Sequence, residues 1–445
     1  MATARAGVAE RRPSVGTLPA RKPLLRGKPS RPDADGRGIL APPDREAFWG
    51  RWSRRPTPTV PSASDDLLVG GDPFRSMAES PDSLSRKFAR TILAETLQVR
   101  RGDNVTIEAW SEALPWAVPF VNETRRLGAR PVLLYEDEAA YWEALRNGLA
   151  RATGEVGEHE WGLLENSDAY VFFFGPAAWP RYDEISPSRA LAEVTRYNAE
   201  WYRRAKKARI RGARIYLGRT SPLSAERWKV DLESWRERLL RASLASPRAM
   251  HRLGRRVGDR LREGTHVHLT HPNGTDLEFR LGRFPVQIDD AYVDEDDLRA
   301  GNNLATIPGG VVGVAVDHRS ASGRAIGDQP VFYNGGRADG LRWSFQAGRL
   351  IDRAFSEGGP EFEARFSAAP KNGRDRLSSF SIGLNPDLEN LPQLEDQELG
   401  TVLLRIGGNT FMGGRNASPF SAWLALRGAD VTIDDRPLLR GGKFV

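Results

Sequence analysis

Cysteine is absent from this 445-residue chain. No disulfide framework, zinc–thiolate site or thiol nucleophile is therefore available to it, and the expected compartment is a reducing cytoplasm. Long apolar runs are missing as well. The longest, AYVFFFG over Ala169–Gly175, is far short of the ~20 residues that span a bilayer, so a soluble chain with no membrane segment is expected. Histidine is scarce, and none follows His318. The first strand-like run is followed by TIEAWSEALP without a glycine, which excludes the usual dinucleotide-binding fingerprint.

What is present is sufficient for folded domains: 40% apolar residues and 12 tryptophans. The net charge of +7 is unevenly placed. Residues 1–60 hold 13 Lys/Arg against 5 Asp/Glu, a local charge of +8, so the remaining 385 residues carry −1. The body is near neutral, and nucleic-acid contact is expected only through the tail. Residues 1–75, rich in Pro, Arg, Gly and Ala, read as a disordered basic tail that buries too little apolar surface to offset its ordering entropy. Within it, REAFWGRWSRR (Arg45–Arg55) spaces Phe48, Trp49 and Trp52 as a short docking element.

From Ser83 the pattern becomes regular. Helices are predicted over Leu84–Leu97, Pro115–Leu127 (closed by Gly128), Glu138–Arg146, Trp161–Asn166 and Pro187–Lys207. Strands are predicted over Asn104–Ala109, Pro131–Tyr135, Ala169–Phe174 and Ala213–Gly218. Alternating strands and helices imply a parallel sheet covered on both faces, so residues 83–228 read as an α/β domain. Residues 229–262 read as a charged helical linker broken at Pro247. Residues 263–445 read as a β-rich α+β domain, with period-two stretches and turns at Pro308-Gly309-Gly310, Asn334-Gly335-Gly336 and Gly358-Gly359.

THVHLTHPNGTDLEFRL, beginning at Thr265, reads as a hairpin about Asn273-Gly274. His266 and His268 share a strand face with His271 at the turn, and cross-strand pairing outweighs metal ligation because no acid pair completes a set. A second strand–loop–strand unit, LGTVLLRIGGNTFMGGRNASPFSAW over Leu399–Trp423, carries a Gly- and Asn-dense loop. Such a loop is a plausible pocket wall and equally a plain hairpin.

The runs HPNGTDLEFRLGR, NNLATIPGGVVGVAVD, FSIGLNP, ELGTVLLRIGGN and GGRNASPFSAW, in this order, resemble the leucyl-aminopeptidase-like metallopeptidases typified by aminopeptidase T, from about Ser83 to the end. The resemblance implies an α/β domain followed by a β-rich domain bearing the site, a homodimer and, in active members, a two-metal centre that removes an N-terminal residue. Such a centre needs several carboxylates and imidazoles. The positions where the resemblance implies those ligands are Val311, Ser379, Leu403, Met412, Ser421 and Trp423. No cofactor or metal is therefore expected, and the peptidase chemistry is in doubt while the fold is not.

The remaining polar candidates for binding are Arg405, Asn409, Arg415 and Asn416, with Asn302, Asn303, Asp317 and Arg319 on another predicted strand. The leading expectation is a non-hydrolytic binder of a peptide or amino-acid-derived molecule, accessory to a biosynthetic pathway. Alternatives are an active aminopeptidase, a metal-free enzyme using Asp317-His318 or Ser379/Ser381 in the same pocket, and a tail-mediated interaction protein.

Overall fold

A computed structural model describes residues 81–147, 155–184, 187–333 and 336–445; the basic tail with its REAFWGRWSRR segment lies outside them. The chain enters through α1 (Pro81–Arg90), continued by a π-helical turn, Thr91–Thr96, where a single helix to Leu97 is predicted. There follow β1 (Asn104–Trp110), α2 (Leu114–Arg126), β2 (Arg130–Glu136), α3 (Glu138–Arg146), α4 (Glu158–Glu165), β3 (Ala169–Phe173), α5 (Pro187–Ala208) and β4 (Arg211–Ile215). Helix α2 stops where its sequence says it should. Gly128 takes φ +75°, and the Ala129 N–H reaches back to Thr124 O at 3.1 Å, closing the last turn.

Three helices cross to the second half: α6 (Pro222–Trp228), α7 (Leu232–Ala242) and α8 (Pro247–Glu263). Pro247 opens α8, and Ser246 caps it by accepting from Ala249 N–H. Next come β5 (His266–His271), β6 (Thr275–Arg280), β7 (Gln287–Asp289), α9 (Glu295–Ala300) and β8 (Leu304–Ile307). Strand β8 lies in the strand-rich stretch of the sequence but pairs in parallel with β4, completing a five-stranded parallel sheet of order β2-β1-β3-β4-β8.

The remaining elements are β9 (Val311–Ala315), β10 (Ser322–Ile326), β11 (Val331–Tyr333), β12 (Gly336–Ala338), β13 (Arg342–Gln346), β14 (Arg349–Ala354), α10 (Gly359–Ala368), β15 (Leu377–Gly383), β16 (Val402–Gly407), β17 (Ser421–Leu426), β18 (Asp430–Ile433), β19 (Arg436–Arg440) and β20 (Lys443–Phe444). Together with β5, β6 and β7 they form an antiparallel eight-stranded sheet, β14-β13-β10-β6-β5-β18-β19-β20, and a five-stranded one, β17-β16-β15-β9-β7, while β11 and β12 pair with each other. One core lies between these two sheets and another surrounds the parallel sheet. An α/β parallel-sheet region joined to a β-rich region is the architecture the sequence predicts.

The three hairpin histidines of β5 have separate partners. His268 Nε2 sits 2.8 Å from Asp276, His266 Nε2 3.6 Å from Glu278, and His271 Nδ1 accepts from Asn273 N–H at 3.1 Å. Among the described residues no three His, Asp or Glu side chains are grouped to hold a metal ion, and no helix is long and apolar enough to cross a membrane.

The turn between β8 and β9 fixes how the parallel sheet meets the β-rich region. Gly310 has φ +125°, and a Cβ there would stand 2.8 Å from Asn385 N, so only glycine allows the approach. Asn385, fully buried, donates from Nδ2 to Gly309 O at 2.8 Å and to Ala242 O at 3.0 Å. Asn385→Ala strands both carbonyls and should lower unfolding stability by about 2–4 kcal/mol; urea denaturation of the variant against wild type measures this.

Candidate functional site

Side-chain alternation decides what the β17-β16-β15-β9 surface offers. The even-numbered Val312, Val314, Phe380, Ile382, Leu404, Ile406, Ala422 and Leu424 face the core. The odd-numbered Val311, Gly313, Ser379, Ser381, Leu403, Arg405, Ser421 and Trp423 are therefore on the opposite face. Pairing aligns them in rows: Ser379 beside Arg405 beside Trp423, and Gly313 beside Ser381 beside Leu403.

Two cavities cover this face, one of about 690 Å³ and one of about 270 Å³, and they share Arg214, Asp396 and Arg405 in their walls. All six positions with implied ligands come together here. Val311, Ser379 and Met412 line the larger cavity, Leu403 and Trp423 the smaller, and Ser421 Oγ accepts from Arg405 Nη1 at 3.3 Å. Val, Leu and Trp carry no donor for a divalent ion, so these positions do not fit a two-metal centre. Phe411, beside Met412, is 62% exposed and stands at the wall of the larger cavity.

The binding candidates divide. Arg405 lines both cavities, and Asn302 and Asn303 line the larger one. Asn303 is buried and uses its Nδ2 on Ile210 O at 2.9 Å. Asn409 holds its own loop: Nδ2 donates to Ser378 O at 2.8 Å and Oδ1 accepts from Asn416 N–H at 2.9 Å. Arg415, Asn416, His318 and Arg319 line a separate basic cleft of about 880 Å³. Asp317 accepts from Arg280 at 3.0 Å and from Arg319 N–H at 3.1 Å. The Asp317-His318 pair is thus not assembled with Ser379 and Ser381, which line the 690 Å³ cavity.

The other wall comes from the parallel sheet, and sequence reading did not name its residues. Arg214 on β4 donates from Nη2 to Thr306 Oγ1 on β8 at 3.1 Å. Strand β4 ends at Ile215, earlier than the predicted Gly218, and a tight turn over Tyr216–Arg219 follows. Gly218 packs so closely on the β3 exit that a Cβ would lie 2.7 Å from Phe174 N. This contact carries Arg219 into the smaller cavity beside Phe174 and Tyr216. A signal existed in ARIYLGR: an arginine inside a strand otherwise buried on both faces demands a polar cavity.

Aromatic rings cover the guanidinium faces. Arg219 Cζ lies 3.7 Å from the Phe174 ring centroid, Arg214 Cζ 5.3 Å from the same ring, and Arg405 Cζ 4.8 Å from Trp423 and 5.3 Å from Phe411. Burial lowers the pKa of both Arg219 and Arg405, although a guanidinium remains charged throughout the neutral range. Burial also pushes Glu395 up to about 8 and raises Asp396, which the nearby Arg405 partly counters. Among the acids of the larger cavity, burial raises Asp289 to about 6, with Arg214 opposing the shift, and Asp297 to about 7. Asp290 Oδ2 lies 3.0 Å from His251 Nδ1, and this hydrogen bond raises the histidine's pKa.

No family model matches the chain, and no curated protein matches it. Solved structures do. The chain is similar to wild-type AmpT, aminopeptidase T, from Thermus thermophilus, with TM-score 0.59 and 16% identity over 81% of this chain and 99% of that one. It is also similar to a 2,5-dihydroxypyridine dioxygenase from Pseudomonas putida KT2440, with TM-score 0.55 and 17% identity over 82% of this chain and 98% of that one. The fold is therefore aminopeptidase-like.

Glu395 makes one pH dependence testable. Its Oε1 accepts from Phe332 N–H at 2.7 Å, and its folded pKa lies above the ordinary value of 4.5 at about 8. Through that window the folded chain keeps a proton that the unfolded chain has released, so this group's contribution to stability is full below it and falls as pH rises. Glu395→Gln keeps the acceptor and removes the titration. Its melting temperature should exceed wild type by roughly 2 °C or more near pH 8.5, with the gain gone near pH 4, as read by thermal unfolding across pH.

Proposed function

We propose that this chain is a non-hydrolytic protein on the aminopeptidase fold that holds a peptide or amino-acid-derived small molecule in the paired cavity, as an accessory to a biosynthetic or regulatory pathway. One observation carries the reading: Val311, Leu403, Met412 and Trp423 surround the cavity where a hydrolytic centre would need charged ligands. Replacing ligands by apolar side chains removes the electrostatic demand for a cation while keeping a concave site with a few polar groups, which is what ligand binding requires. Of the similar structures, one is an aminopeptidase and one a dioxygenase, so the fold supplies a pocket without dictating a reaction. A homodimer in the cytoplasm belongs to the same proposal.

Metal analysis of the purified full-length chain, paired with an assay on leucine anilide, tests this directly. The expected result is no stoichiometric zinc, cobalt, manganese or iron and no hydrolysis above background. About two tightly held ions per chain together with anilide cleavage would overturn the proposal in favour of an active aminopeptidase.

A further inference from the structure

We propose that Arg214, Arg219 and Arg405 form a seat for a free carboxylate, so that the molecule held is an amino acid or short peptide with its C-terminal carboxylate unblocked. The proposal deepens the binding reading and rests on it.

Most partly buried arginines elsewhere in the chain have an acid to hold. Arg211 pairs with Asp103 at 2.7 Å, Arg204 with Glu165 and Glu200 at 2.7 Å, and Arg353 with Glu363 at 2.5 Å. Among the described residues, none of the three cavity arginines has a carboxylate oxygen within 4.0 Å. Among the described residues their side-chain hydrogen bonds go to hydroxyls, Arg214 to Thr306 and Arg405 to Ser421, and the buried Nε atoms of Arg214 and Arg219 meet no acceptor. Asp396, in the wall the two cavities share, faces Arg405 without an ion pair inside 4.0 Å, and three cations around so little negative charge are costly unless a further anion joins them.

The geometry favours a planar anion. Each guanidinium lies against an aromatic ring, of Phe174, Trp423 or Phe411. A guanidinium covered on its face offers its in-plane N–H edge, which matches the two oxygens of a carboxylate. Glu395 does not take that place: its Oε1 is engaged by the Phe332 N–H, and burial keeps it protonated at neutral pH. From the seat the 690 Å³ cavity leads to Asp289, Asp290 and Asp297. The three arginines meet only at the smaller cavity, while Asp289, Asp290 and Asp297 line only the larger one, so a zwitterion reaching from one to the other would find an acid for its ammonium group. A phosphate would satisfy the arginines but not these acids.

The test uses the full-length chain with three dipeptides, Ala-Ala, Leu-Leu and Phe-Phe, the C-terminal amide of each, and inorganic phosphate, read by thermal shift and calorimetry. At least one free acid should raise the melting temperature and bind at least tenfold more tightly than its amide. Arg219→Met and Arg405→Met should abolish that preference, whereas Arg219→Lys, which keeps the charge without the fork, should restore part of it. Arg219→Met should also melt no lower than wild type without ligand, because it removes an unpaired cation and keeps the contact with Phe174. Equal binding of acids and amides, stabilisation by phosphate alone, or no binding by any of the panel would each overturn the seat. Metal content and anilide cleavage play no part in this comparison, so a failed seat and a failed binding reading give separate signatures.

Discussion

Everything around the cavity depends on the period of two in β9, β15, β16 and β17. The eight core-facing residues of these strands fill the space against the eight-stranded sheet and hold the surface in register. A slip of one residue would send Leu404 and Phe380 into the cavity and Arg405 into the core. The hydrophobic pattern that stabilises the sheet is therefore also what aims Leu403, Arg405, Ser421 and Trp423 at a common space. Stability and site geometry are set by one constraint.

That constraint explains why so much of this wall was legible in the sequence. The family resemblance carried by the order of short motifs implied Val311, Ser379, Leu403, Met412, Ser421 and Trp423 as positions of one site, and the structure brings them around the paired cavities. Turn chemistry located the ends of α2 and the start of α8, because Gly128 and Pro247 act locally. The opposite wall could not be read the same way. Arg214 and Arg219 precede β9 by more than ninety positions in the chain, and they reach the site only because β8 docks on β4. The glycine-rich loop misled for a related reason: its asparagines look available, yet Asn409 and Asn416 use their amides to hold the loop itself.

The electrostatic character of the cavity differs from that of the whole chain. Outside the tail the net charge is close to zero, yet Arg214, Arg219 and Arg405 gather around the smaller cavity with Glu395 and Asp396, and Asp289, Asp290 and Asp297 line the larger one. Burial raises the pKa of both Glu395 and Asp396 among the arginines, that of Glu395 to about 8.

Strand β8 has one more consequence. It is hydrogen-bonded into the parallel sheet along its length, and after only three intervening residues the chain is β9 of the antiparallel sheet. The two walls thus share a continuous splice, and opening them like a clamshell would require peeling β8 from β4. Phe411, its ring largely exposed, stands on the β16–β17 side of the larger cavity, so this splice ties the wall that carries it to the parallel sheet.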